Sequence, residues 1–279
     1  MTVEVDYLVI GHVTRDELDG RPAVGGTAAY ASLMARNLGL RVGVVTSAGP
    51  EIDPQAALPG VLVHSRTAPT STFFRNNYPG GRREQFLLGC AAPLDMTDVP
   101  EAWRSAPLVH LAPVAGEVVP SLAARFPTAT VAATLQGWLR RRDETGRVVP
   151  IAWPEAPRAL TGVHIALFSD EDAVADPGLA ERCAASLPIV VVTRGADGAT
   201  LYDRGRPFNV PACPARVVDP TGAGDVFAAA FLVWLQRTAD PVVSARFASC
   251  AAACSIEAMG TAGIPTLHQV EERLARWVG

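Results

Sequence analysis

Six short apolar runs, each closed by turn or polar residues, limit most what this chain can fold into. They are Tyr7–Ile10, 41–46, Leu108–Leu111, 130–133, 164–168 and 189–192. Runs this short and this apolar suit strands covered on both faces. Between the first two, Gly25-Gly26-Thr27 opens an Ala-rich stretch, 28–38, closed by Gly39 as a helix C-cap. A strand, a helix and a second buried strand in succession predict a parallel sheet with helical crossovers. Helical stretches are expected between most of the later strands. Three more helices close the chain, from Gly224, from Val242 and over 267–278. The segment 70–88 breaks the rhythm: Thr72-Phe73-Phe74-Arg75 and Glu84-Gln85-Phe86-Leu87-Leu88 flank Tyr78-Pro79-Gly80-Gly81, which has hairpin chemistry. Residues 200–202 with a turn at 203–206 predict a second hairpin. Polar residues and a turn at 19–22 follow the first strand.

At 279 residues, with 49% hydrophobic and 19% charged residues, the chain can bury a substantial core as one globular α/β domain over 1–279. A net charge of −4 gives no support for nucleic-acid binding. Lysine is absent, so any cationic clamp on a phosphate must be an Arg. Five scattered cysteines without a close Cys-x-x-Cys read as small buried residues in a reducing compartment. Cys250 and Cys254, four apart, would share a helix face. No basic leader and no long apolar segment precede the first strand, so a cytoplasmic protein without a membrane span is expected.

The chemistry concentrates in Val217-Val218-Asp219-Pro220-Thr221-Gly222-Ala223-Gly224-Asp225-Val226-Phe227. Pro220 ends any ladder, Gly222 and Gly224 let the backbone turn, and an apolar run to Leu235 suits a buried helix. Gly222, Ala223 and Gly224 are then expected at a helix N-terminus with unpaired N–H groups. Such a terminus attracts an anion, and Asp225 in the first turn stays ionised beside it. An anion hole next to a carboxylate base suits phosphoryl transfer to a hydroxyl. By itself the same motif also describes a capped helix whose aspartate serves only the macrodipole.

Asp219-Pro220-Thr221-Gly222-Ala223-Gly224-Asp225 resembles the C-terminal signature of the PfkB, or ribokinase-like, carbohydrate kinases. The resemblance implies a three-layer α/β sandwich with a central, mostly parallel sheet. It also implies a small β lid, here segments 13–23 and 70–88. It makes Asp225 the catalytic base and Gly222, Ala223 and Gly224 the anion hole, with Thr221 at the nucleotide. Gly11 to Asp16 resembles the family's first-strand Gly followed by an Asp that binds substrate hydroxyls; a carboxylate can accept two such donors. Read alone, Asp16 is a loop residue. Gly25 and Gly26, with Thr27, match the family's glycine pair at the substrate. An Asn common a few residues on is replaced, with Tyr30 in its vicinity.

Ser169-Asp170-Glu171-Asp172 stands where the family carries Asn-x-x-Glu, which organises Mg²⁺; Asp172 is the metal candidate. Ser169 is placed at the nucleotide. The stretch equally reads as a helix N-terminus. Thr193-Arg194-Gly195-Ala196-Asp197-Gly198 resembles the nucleotide loop, with Thr193, Arg194, Gly195 and Gly198 as its binding residues. Further pieces resemble the myo-inositol kinase branch: Leu88-Gly89-Cys90-Ala91-Ala92-Pro93, Val114-Ala115-Gly116-Glu117-Val118 and Leu135-Gln136-Gly137-Trp138-Leu139-Arg140. Gln136 and Arg140 follow a strand end, where open α/β sheets bind ligands. Arg140 is the candidate phosphate-facing cation; with Arg141 and Arg142 it also reads as a solvated basic corner.

Walker A and protein-kinase signatures need a lysine this chain lacks, and Phe227 stands where a Rossmann fingerprint needs a small residue. The expected activity is ATP- and Mg²⁺-dependent phosphorylation of a sugar, cyclitol or related polyol. A monovalent cation is an open addition, and lid edges can pair two copies into a homodimer. A nucleoside kinase, with Phe73, Phe74 and Tyr78 offering a base slot, is the alternative enzyme. A silent nucleotide or sugar sensor is the alternative from another class.

Overall fold

The computed structural model describes residues 4–18, 20–77 and 84–277. Asp19, the turn expected at Tyr78-Pro79-Gly80-Gly81 and the end of the last helix at Val278 lie outside the described residues. Fifteen strands are described: β1 (Tyr7–Ile10), β2 (Thr14–Leu18), β3 (Arg21–Gly25), β4 (Val42–Ala48), β5 (Leu62–Thr67), β6 (Phe73–Asn77), β7 (Glu84–Gly89), β8 (Leu108–Leu111), β9 (Thr130–Thr134), β10 (Arg140–Arg142), β11 (Val148–Pro150), β12 (Ile165–Ser169), β13 (Ile189–Thr193), β14 (Ala199–Asp203) and β15 (Arg206–Val210). The helices are α1 (Thr27–Asn37), α2 (Pro54–Ala57), α3 (Ala156–Ala159), α4 (Leu179–Ala184), α5 (Ala223–Thr238), α6 (Pro241–Ser255) and α7 (Leu267–Arg276).

Nine strands form the central sheet in the order β15-β14-β13-β12-β9-β8-β1-β4-β5. The seven from β13 to β5 run parallel, and β14 and β15 add an antiparallel hairpin at one edge. Alternation along β1 divides two cores. Tyr7 and Val9 join the side covered by α1, α5 and α6, whereas Leu8 and Ile10 face the opposite layer. The α5–α6 pair is fixed by Trp234 stacked on Phe247, rings 3.7 Å apart. This is the expected α/β sandwich.

The crossovers differ from the expectation. Between β8 and β9 stands only the six-residue 3-10 turn Pro120–Arg125, and between β9 and β12 the β10–β11 hairpin and the four-residue α3. Prolines at 113, 120, 127, 150, 154 and 157 explain this, because each removes an amide donor and resists a helix interior. The β5 edge, mostly exposed, also carried no apolar signal.

A second sheet, β3-β2-β6-β7, is built from the two expected lid segments. Two antiparallel hairpins, β2–β3 and β6–β7, join through the parallel pair β2–β6. Register sets Asp16 beside Phe74 and Phe74 beside Leu87, so these three share a face. Arg15 and Phe73 share the other, with the Arg15 guanidinium 4.9 Å from the Phe73 ring.

Inside the central sheet Tyr7 Oη meets His110 Nδ1 at 2.7 Å, and both residues are fully buried. Among the described residues His110 Nε2 has no partner. Burial pushes the His110 imidazole down to about 3, so it is neutral in the folded chain. Unfolding restores an ordinary His near ~6.5, so the unfolded chain binds the extra proton between those values. This stability is therefore complete above ~6.5 and lost as pH falls toward 3, by about 1.4 kcal/mol per pH unit at most. Urea unfolding at pH 7 and pH 5 should show the loss, and His110→Gln should flatten it. An unchanged slope in that variant would remove His110 as its source.

Candidate active site

The turn before α5 is held by Asp219, whose Oδ1 accepts from Thr221 N at 3.0 Å and Oδ2 from Gly260 N at 2.9 Å. Gly222 then caps α5 at φ 77°, in the left-handed region. A Cβ there would stand 2.3 Å from the Tyr30 ring, so both the turn and its floor require glycine. Gly224 is the reverse case: it is exposed, and a Cβ on it would meet nothing within 4 Å. Of the three amides expected to be unpaired, Ala223 N donates to Pro220 O at 3.3 Å, which corrects that part of the expectation. The Gly222 and Gly224 N–H groups have no acceptor among the described residues. The α5 start therefore keeps two backbone donors without a backbone acceptor, one of them at the exposed Gly224.

Asp225, in the first turn of α5, is half-buried, and its Oδ1 accepts from Thr27 Oγ1 at 2.7 Å. Thr27 is the first residue of α1, so two helix N-termini converge on this carboxylate. Gly26 caps α1 at φ 86°. On β2, Thr14 Oγ1 donates to Asp16 Oδ1 at 2.7 Å. The Asp16 carboxylate lies where a Cβ on Gly25 would stand, 2.4 Å from it, so glycine admits the carboxylate. Tyr30, noted in sequence only as standing near a replaced Asn, is a buried floor under the turn at Gly222. Burial, then the charges of Asp219, Asp225 and Asp16, push its phenol well above the ordinary range. It stays neutral while three carboxylates surround it.

The stretches holding Glu117 and His12 entered the sequence reading only as resemblances, and their part in holding the β1–β2 connection was not read. Buried Glu117 accepts from His12 N at 2.9 Å, Val114 N at 3.0 Å and Ala115 N at 2.8 Å. His12 Nε2 faces Ala92 O at 2.9 Å and so carries the proton, while Nδ1 meets Thr72 Oγ1 at 2.7 Å. A Glu and a His this far apart in sequence give no local signal of their meeting.

Arg140 and Asp172, the candidate phosphate-facing cation and the candidate holder of a magnesium-bound water, come together in the structure. Arg140 Nε and Nη2 donate to Asp172 Oδ1 at 3.1 and 2.5 Å, and Nη1 donates to Gln85 Oε1 at 3.1 Å. With its amide oxygen turned toward Arg140, Gln136 accepts from Nη1 at 3.0 Å and Nη2 at 2.6 Å. Asp172 Oδ2 accepts from Ser169 N at 3.2 Å and Ser169 Oγ at 2.8 Å. The guanidinium is thus spent on a carboxylate and two amides rather than turned to a phosphate. Asp172, with donors on both oxygens, does not fit direct metal ligation. Nor does Ser169 start a helix; residues 170–175 are turns, and α4 begins at Leu179. Among the described residues no cluster of three His, Cys, Asp or Glu could hold a metal.

Thr193 ends β13 beside Ser169, and the loop behind it closes through Arg194 N to Gly198 O at 2.7 Å. Gly195 opens a 3-10 turn, and Gly198 has φ 83° with Val210 O against it. Thr193 and Ser169 end the parallel strands β13 and β12, the side on which such sheets bind ligands. A groove of about 600 Å³ between α6 and α7, lined by Cys213, Cys254, Glu257, Arg273 and Trp277, contains none of the predicted residues. No helix among the described residues is long and apolar enough to cross a membrane.

Residues 64–267, most of the chain, match the model of the pfkB family carbohydrate kinases. The chain belongs to this family. It is therefore a phosphotransferase that acts on a hydroxyl acceptor. A cytidine kinase of Thermococcus kodakarensis is 29% identical over 257 residues, covering 84% of this chain and 89% of the relative. An inositol 3-kinase of Oryza sativa subsp. japonica is 30% identical over 290 residues, 94% of this chain and 70% of the relative. Among solved structures, a pyrophosphate-dependent kinase in the ribokinase family, complexed with a pyrophosphate analog and myo-inositol, superposes with TM-score 0.80. Identity is 23%, over 96% of this chain and 99% of that one. Arabidopsis thaliana ribokinase with ribose and ATP gives 0.78 at 20% identity, over 98% and 99%. At these identities the structures establish the ribokinase fold.

Proposed function

We propose that this family member transfers the terminal phosphate of ATP to a hydroxyl of a small sugar or cyclitol such as myo-inositol. The observation that carries the reading is the Asp225 carboxylate, fixed by the Thr27 hydroxyl at 2.7 Å beside the open face of Gly224. Asp225 accepts the proton of the acceptor hydroxyl. An ordinary Asp, pKa near ~3.9, is a weak base for an alcohol, but a loose transition state lets the proton move late. The Gly222 and Gly224 amides bind the charge on the transferred group, aided by the field of α5. Asp16, held on β2 by Thr14, accepts hydroxyl protons of the acceptor and orients it.

Mg²⁺ accompanies ATP in this reading and neutralises part of the phosphate charge. Mg²⁺ typically keeps several waters and binds through the nucleotide phosphates, and among the described residues no three His, Cys, Asp or Glu form a cage. Thr193, Arg194, Gly195, Gly198, Ser169 and Thr221 form the nucleotide side. One cytoplasmic kinase domain, with the small sheet as lid over 13–23 and 70–88, accounts for two cores sharing one central sheet. A homodimer through that lid would use the β3 edge, since Leu87 N donates to Gly146 O and covers β7.

The cytidine kinase relative favours a nucleoside acceptor as second reading. Two of the three rings named for a base slot weigh against it: Phe73 lies on the face away from Asp16, under Arg15, and Phe74 is buried against Leu87 and Val114, while Tyr78 lies outside the described residues. Mg-ATP turnover measured with myo-inositol, other cyclitols, ribose, fructose, cytidine and adenosine separates the two. The best cyclitol or sugar should exceed both nucleosides in kcat/KM by at least about tenfold. Turnover of nucleosides alone would reverse the assignment, and nucleotide binding without turnover on the panel would favour the sensor.

A further inference from the structure

A polar chain runs from the small sheet to the central one. Gln85 Nε2, on β7, donates to Asn76 Oδ1 on β6 at 3.1 Å, while Gln85 Oε1 accepts from Arg140 Nη1 at 3.1 Å. Arg140 continues to Asp172, and Asp172 to Ser169 at the end of β12, whose register partner Thr193 opens the loop 193–198. The ion pair is largely out of water, its side chains 18% and 6% exposed. Desolvation makes a buried pair a poor source of stability, and its best-attested use is to fix one arrangement among several. A guanidinium suits that use, because its planar fork holds three partners at set angles.

We propose that Arg140 is a positioning residue that couples the lid to the nucleotide side, through Gln85 on one hand and the Ser169–Asp172 turn on the other. The coupling rests on the kinase reading above, since it assigns loop 193–198 to the nucleotide. Hydrophobic contacts of Phe74 and Leu87 with Val114 and Val148 seat the lid beside this chain. That seat holds the sheet down; the polar chain carries register between the two sheets. Occupation of the nucleotide side tightens the Ser169–Asp172 turn, and Arg140 passes this to β7. A nucleotide would then order the lid before the acceptor arrives.

The test is hydrogen exchange on the full chain with and without Mg²⁺ and the non-hydrolysable analogue AMP-PNP. In the parent protein the nucleotide should slow exchange in β6 and β7 at least about threefold, the scale of such couplings. Gln85→Leu should abolish that response while the Kd for AMP-PNP stays within about twofold, because Gln85 lies outside the phosphate cradle. Gln85→Glu, which can still accept from Arg140, should restore it. Gln85 is the position to vary, since removing Arg140 strands the buried Asp172 charge and can unfold the chain. A lid response in Gln85→Leu equal to the parent's overturns the coupling, as does no lid response in a parent that binds the nucleotide. A parent that binds no AMP-PNP overturns the ATP reading itself, and the coupling with it.

Discussion

Gly222→Ala is expected to lower the unfolding free energy by about 2–4 kcal/mol, combining a left-handed residue that is no longer glycine with an overpacked contact. The two costs have separate origins. The backbone stands at φ 77°, and the new methyl would collide with the buried Tyr30 ring at 2.3 Å. Tyr30 has little room to retreat, being 2% exposed among the α1 and α5 side chains. Relief must come from the turn, which moves the Gly222 and Gly224 amides, so kcat should also fall by about 10²-fold or more. Gly224→Ala is the control. Its methyl meets nothing within 4 Å and sits in a helix, so unfolding should change by less than about 1 kcal/mol. Yet that methyl occupies the space the phosphate needs, and turnover should fall with stability intact. Urea unfolding and steady-state kinetics on both variants separate the two effects. Equal stability losses would show that the space above Gly224 is not open as described.

How much of this was legible beforehand depends on the range of each interaction. Buried parallel strands announce themselves locally, because Tyr7–Ile10 and Leu108–Leu111 must be apolar on both faces, and both were read at their observed ends. The α5 start was equally legible: Pro220, Gly222 and Asp225 each act within one turn of backbone. Residues whose meaning lies in a distant partner were not. Arg140 looked like a free cation and Asp172 like a metal ligand until the fold set them side by side, 32 positions apart. Gln85 carried no signal at all, since its role is to touch Arg140 from another sheet. Tyr30 was noticed only as a replacement, whereas its ring explains why position 222 must be glycine. The β10–β11 hairpin was missed because Arg140-Arg141-Arg142 has no apolar alternation, its strands being mostly solvent-facing.

The central claim is that one carboxylate, Asp225, removes the acceptor's proton while the α5 amides hold the phosphate. Thr27 fixes that carboxylate from a different helix, so an amide in its place keeps the shape and loses the basicity. Steady-state kinetics of Asp225→Asn, alongside the Kd for AMP-PNP, test this most directly. A fall in kcat of at least about 10²-fold, with nucleotide binding near the parent's, is the predicted result. Turnover close to the parent's would contradict it and leave the α5 start as an anion site without a base.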